Sequence, residues 1–297
     1  MLNSFLYTTI SSVTLFSVLA SAAVPAGTLY GLYSNGDTGG CDLHSVSPSS
    51  IDNATLFTNL GICAGLQQFF PAVSAYQAST RSLIVAIGHG KAITAINIDS
   101  GKETELAPML EYNDNDWIIG LDVIADQVFA TFQSGIYQVV KGNLVKLAFK
   151  GITLFPQYSQ VAACETCGKS GGPAIFVADE GSGKIFVNAF SDNSTATITG
   201  TVKCMDLQYS ESTGTLIAVA NYQLYKISAT TAKATRIGNV PDGSGYPRIN
   251  TLSPDGTTIA ISDFDKVFTM SLSDGSVGDN YEWHLAPRSV GFFQWVA

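Results

Sequence analysis

Arg248-Ile249-Asn250-Thr251-Leu252-Ser253-Pro254-Asp255-Gly256-Thr257-Thr258-Ile259-Ala260-Ile261-Ser262 is the stretch whose reading decides the fold. From its middle outward it is turn, then strand on either side. Pro254 presets φ, Asp255 bonds the local backbone, and Gly256 accepts a positive φ, which is β-turn chemistry. Lys266-Val267-Phe268-Thr269-Met270-Ser271-Leu272 follows as a third strand. Helical periodicity is almost absent from the rest of the chain. Short runs of β-branched and aromatic residues recur between clusters of Gly, Asn, Asp and Ser, as strands do.

The same unit repeats. Leu83-Ile84-Val85-Ala86-Ile87, Gln127-Val128-Phe129-Ala130-Thr131, Ala174-Ile175-Phe176-Val177-Ala178 and Leu216-Ile217-Ala218-Val219-Ala220 each follow a shorter strand and precede another. The copies begin at Val73, Leu121, Tyr158, Met205 and Ile249. That recurrence is close to one four-stranded propeller blade, about 40–45 residues. Residues 27–60 hold three strands without an inner one, and Ser289-Val290-Gly291-Phe292-Phe293-Gln294-Trp295-Val296 is an inner strand without partners. Together they complete a sixth blade, and closing the ring removes exposed edges. The expected fold is an all-β, six-bladed β-propeller in one domain, residues 24–297, closed by pairing of the C-terminal strand with the N-terminal blade. A β-sandwich is the alternative, but it needs no such repeat.

Of 297 residues, 46% are hydrophobic and 13% charged, so burial is plentiful and disorder is not expected. The net charge is −9, and no Lys or Arg precedes Arg81. Such a chain suits neither nucleic acid nor an anionic membrane, since both require phosphate neutralisation. Residues 1–23 are uncharged in their side chains and mostly apolar, ending in Ala20-Ser21-Ala22-Ala23, which reads as a secretory signal peptide. The expectation is a monomer in the secretory lumen or outside the cell, with no membrane contact after cleavage. Asn53-Ala54-Thr55 and Asn193-Ser194-Thr195 are then N-glycosylation acceptors at Asn53 and Asn193. In that setting Cys41 with Cys63 and Cys164 with Cys167 read as disulfides, leaving Cys204 over. A metal or redox role for Cys164 and Cys167 lacks the further ligands or the βαβ context it needs.

In a propeller, the connections into the inner strands and those between second and third strands gather at one end of the axis. There this chain places Phe70, Trp117, Phe155, Tyr246 and Arg248, with His89, Asp179, Asn221 and Asp263 on the facing loops. Aromatic groups with a few convergent polar ones make a small-molecule pocket. His89, between Gly88 and Gly90, has the mobility and chemistry of a general acid or base, or is simply a loop residue. Arg248 offers a donor fork for a carboxylate or an enone oxygen, or pairs with a neighbouring blade. Asp179 orients, or closes a turn of its own. Asp122, Asp206 and Asn250, with Ser74 and Ser159, read as matching inner-strand positions that bond the adjacent blade. No nucleophile-elbow, phosphate-loop or zinc-protease motif occurs.

Ser253-Pro254-Asp255-Gly256-Thr257-Thr258-Ile259-Ala260-Ile261 resembles a TolB-type blade motif, and residues 27–297 resemble secreted six-bladed propellers of the gluconolactonase and strictosidine-synthase-like group. Metal-dependent gluconolactonases open on a Glu-Gly-Pro segment whose Glu binds the metal; here Gly27-Thr28-Leu29-Tyr30-Gly31 stands instead. The chain also resembles propellers of fungal natural-product pathways, including hetero-Diels–Alderases, which need no metal. These resemblances imply an enzyme without cofactor that orients an apolar substrate and polarises one oxygen; the residues read above as candidates for that work are Arg248, His89 and Asp179 as catalytic groups, with Phe70, Trp117, Phe155, Tyr246, Asn221 and Asp263 around the substrate. Two other readings stay open: a non-catalytic secreted module binding glycan or protein, and a Ca²⁺-dependent lactonase or esterase.

Overall fold

The computed structural model describes residues 27–35, 40–46, 55–60, 72–87, 91–110, 118–150, 155, 159–168, 171–179, 181–199, 206–231, 233–241, 248–263, 266–282 and 290–296. They form six antiparallel four-stranded sheets, the blades of a β-propeller. Blade 1 is β24 (Val290–Val296), β1 (Thr28–Asn35), β2 (Gly40–Val46) and β3 (Thr55–Leu60), from the axis outward. Blade 2 is β4 (Ala72–Gln77), β5 (Ser82–Ile87), β6 (Ala92–Asn97) and β7 (Glu103–Pro108). Blade 3 is β8 (Ile118–Ile124), β9 (Gln127–Phe132), β10 (Gly135–Val140) and β11 (Asn143–Lys146). Blade 4 is β12 (Ser159–Cys164), β13 (Ala174–Asp179), β14 (Lys184–Ala189) and β15 (Ser194–Ile198). Blade 5 is β16 (Asp206–Ser210), β17 (Thr215–Ala220), β18 (Gln223–Ser228) and β19 (Ala234–Asn239). Blade 6 is β20 (Arg248–Leu252), β21 (Thr258–Asp263), β22 (Lys266–Ser271) and β23 (Val277–Glu282). The inner strands β24, β4, β8, β12, β16 and β20 pack side by side in that order and return to β24. The six-bladed fold expected from the repeat is the fold observed.

The second strand of each blade explains why the repeat was visible. A strand in mid-blade has a neighbouring blade against each face, so both sets of alternating side chains are buried. β5 is buried along its whole length, and β9 and β13 at every position but one end. Their sequences are therefore continuous apolar runs and not alternating ones. Each such Leu, Ile, Val or Phe contributes about 1.5–3 kcal/mol of transfer free energy. Outer strands β7, β11, β15 and β19 meet solvent and carry the polar residues.

The turn at Pro254 forms as its residues require. Gly256 has φ +68°, and its N–H donates to Ser253 O at 2.8 Å. Asp255 Oδ1 accepts from Ser253 Oγ at 2.5 Å and from Thr257 N at 3.1 Å. Those donors, the Ser253 hydroxyl first, hold the Asp255 carboxyl below its ordinary range. The ring closes where β24 pairs with β1, Thr28 opposite Val296. Gly27 N donates to Val296 O at 2.9 Å, and Trp295 Nε1 donates to Gly27 O at 2.9 Å. Cys164 and Cys167 form a disulfide, and Cys41 is also disulfide-bonded. Cys63, Cys204, Asn53 and the expected signal segment lie outside the described residues.

Candidate functional site

Four of the expected site residues stand at strand ends on one end of the ring. Asp179 closes β13, Asp263 closes β21, Asn221 follows β17, and Arg248 opens the inner strand β20 opposite Ser262. The side chains of Arg248 and Asp263, and all of His89, Phe70, Trp117 and Tyr246, lie outside the described residues. Asp179 holds its own turn: Oδ1 accepts from Gly181 N at 2.9 Å, and the Ser182 hydroxyl donates to Oδ2. Asn221 and Tyr222 form a two-residue hairpin turn with φ +49° and +56° between paired Ala220 and Gln223. Asn193, also exposed, has φ +52°. Phe155 stands away from the axis, buried between blades 3 and 4 against Phe186, ring centroids 6.2 Å apart. Among the described residues no group of three or more His, Cys, Asp or Glu is arranged to hold a metal ion.

Below that end, the axial wall carries a polar layer. Two residues before the last pair of five inner hairpins stand Ala75, Asp122, Ala162, Gln208 and Gln294, and one residue before it in blade 6 stands Thr251. Three of these reach the following blade. Gln294 Nε2 donates to Thr251 Oγ1 at 3.0 Å, and Ser74 Oγ donates to Gln294 Oε1 at 3.4 Å. Asp122 accepts from Ala163 N on β12. The register corrects one expectation: Asp206 does not match Asp122, and Asn250, at the same count from its last pair, is left unpaired. Asp206 lies two residues further from its hairpin, and Asn250 falls in the irregularity between Ile249 and Thr251. The role expected of Asp122, bonding the adjacent blade, is the one it has.

Asp122 is only half-buried as a residue, yet its Oδ2 is sealed and has no hydrogen-bond partner. Burial raises its pKa to about 7, against the smaller opposing effect of the Ala163 N–H. The wall thus holds a carboxyl that is protonated below neutrality. Thr131 Oγ1, also buried, likewise lacks a partner. Thr131 pairs with Gly120, two residues from Asp122, so both polar groups belong to the same face of blade 3. That face meets blade 4: Phe129 packs on Phe190, ring centroids 4.9 Å apart, and a Cβ on Gly120 would come within 2.6 Å of Val161 Cβ.

The outer part of the same seam opens as a cleft of about 350 Å³. Ile136, Leu147, Phe149 and Phe155 supply its apolar lining, and Lys146 and Asn188 its polar edge. Asn188 is internally satisfied, donating to Ile175 O at 3.1 Å and accepting from Thr195 Oγ1 at 2.9 Å. Nothing in the sequence singled out Lys146, Asn188 or Thr131, because the seam joins strands of different blades.

No family model and no curated protein matches the chain. Among solved structures it is similar to a chain in the crystal structure of a nidogen/laminin complex. The TM-score is 0.64 at 12% sequence identity, covering 90% of this chain and 97% of that one. At that identity the likeness is one of fold.

Proposed function

We propose that this chain is a secreted, metal-independent propeller of small-molecule metabolism. It binds a largely apolar molecule at one mouth of its axis and orients and polarises it, as a cyclase of the hetero-Diels–Alderase kind does. The observation that carries this reading is the gathering of Arg248, Asp179, Asn221 and Asp263 at one end of the ring, opposite the Pro254 turn. Phe70, Trp117 and Tyr246 on the adjoining connections supply apolar walls. Holding two reacting groups together there supplies proximity, and the Arg248 fork polarises the oxygen on which charge develops. His89 moves a proton where the reaction needs one. The chain enters the secretory pathway through residues 1–23, carries glycans on Asn53 and Asn193, and works as a monomer.

A binding module for protein or glycan is the second reading, favoured by the similar propeller from the nidogen/laminin complex. One experiment separates the two. Native mass spectrometry of the purified secreted protein, with and without a chelator, is compared with that of Arg248→Ala. The first reading expects a bound small molecule that survives chelation and is lost from Arg248→Ala at unchanged melting temperature. A molecule retained by Arg248→Ala removes Arg248 from the site. Capture of a protein or glycan partner, with no small molecule, replaces the first reading with the second.

A further inference from the structure

We propose that the cleft between blades 3 and 4 is a second binding site, separate from the axis, for a small aromatic carboxylate. Its walls are fixed before any ligand arrives. At the outer edge the two blades share backbone bonds: Lys150 N donates to Asn193 O at 2.7 Å, and Thr195 N to Lys150 O at 3.1 Å. On the other side Phe155 N donates to Gln133 O at 2.6 Å. Phe149 rests on Phe190 with ring centroids 5.5 Å apart, and Phe190 rests on Phe129. The apolar wall is therefore backed by a run of tilted rings that leads into the core. At about 350 Å³ the cleft is at the small end of ligand sites, which run from about 300 to 1,000 Å³.

Lys146 decides the charge of the ligand. Its side chain lies across Gly135, where a Cβ would come within 3.0 Å of Lys146 Cε. Its ammonium stands 5.8 Å from the centre of the Tyr137 ring. No carboxylate pairs with it among the described residues. The cation is thus held at the rim of an apolar cleft, on a protein of net charge −9, with only an aromatic face as partner. A ligand anion completes the pairing that the fold leaves open, and a flat ring fits the aromatic wall behind it.

The probes are 2-naphthoate and its neutral amide, titrated by fluorescence into the whole protein. The acid is expected to bind about tenfold more tightly than the amide, in keeping with a partly exposed charge pair. Lys146→Met keeps the apolar stem and is expected to abolish that preference at unchanged melting temperature. Phe149→Ala is expected to weaken both probes about tenfold. The proposal is overturned if the acid shows no saturable binding, or if Lys146→Met keeps the preference for it.

Discussion

The two ends of the ring are built for different work. At the end of the Pro254 turn, blades 2 to 6 turn back in hairpins that grip one another. Gln77 Nε2 donates to Asp126 O at 2.8 Å, and Ala125 N donates to Glu165 Oε1 at 3.3 Å. Glu165 N donates to Glu211 Oε1 at 2.8 Å, and Ser212 Oγ to Gly256 O at 3.2 Å. The Cys164–Cys167 disulfide closes the loop that presents Glu165. At the opposite end most of the connections into the inner strands are longer, and Asp179, Asn221, Arg248 and Asp263 stand at the strand ends there. The contrast teaches that, among the described residues, the hairpin end holds a chain of inter-blade bonds, while the opposite end carries the longer loops, where function is usually placed.

Four measurements break or sharpen that contrast. Deleting Val290–Ala297 removes the inner strand of blade 1 and with it both ends of one blade. The expected result is loss of most of the folding free energy, about 5–15 kcal/mol for an ordinary domain, seen as loss of the cooperative melting transition. A truncated protein that melts like the full one would show that the ring does not depend on its closure. Asp122→Asn tests the wall between the ends. Its carboxyl ionises at 3.8 when unfolded and near 7 when folded. Stability is therefore lost as pH rises from about 4 to about 7 and is level above that. Unfolding by urea is expected to find the Asn variant more stable at pH 8, by at most about 4 kcal/mol, and closest to the parent at pH 4. A difference that does not change with pH would contradict a buried, protonated carboxyl.

The other two substitutions address the gripped end directly. Gly256→Ala places a Cβ at φ +68°, 2.4 Å from Ser212 Oγ, and so strains the turn and its bond to blade 5. The expected cost is about 1–3 kcal/mol by thermal melting, with ligand binding at the far mouth unchanged. Glu211→Ala removes one acceptor from an exposed backbone N–H, at about 1 kcal/mol or less. A loss of ligand binding without loss of stability in either variant would reverse the roles assigned to the two ends.

The blades were legible because β5, β13 and β17 are buried on both faces, which forces continuous apolar runs. The Pro254-Asp255-Gly256 turn was legible because its three residues each answer one local backbone requirement. Matching inner-strand positions were only partly legible. Asn250 keeps the count of Asp122 from the hairpin, but the irregularity at Ile249–Thr251 leaves it out of the pairing, which nothing in the sequence marks. The state of Asp122 was not legible at all, since the N–H it accepts from and the burial that holds its proton come from a different blade. Lys146 gave no signal for a different reason: its neighbours Gly135 and Tyr137, on the adjoining strand of its own blade, become a platform only when β10 and β11 pair.

The closure at Trp295 and Gly27 also sets an order of events during synthesis. The two residues are separated by 268 positions in the chain. At about 5–20 residues per second, β1 leaves the ribosome more than ten seconds before its axial partner exists. The entropy of joining such distant segments grows only slowly with their separation. The waiting is the more serious demand, because a strand with a free edge is a template for pairing with any other chain. The nascent protein therefore depends on its surroundings to keep that edge covered until the last strand arrives.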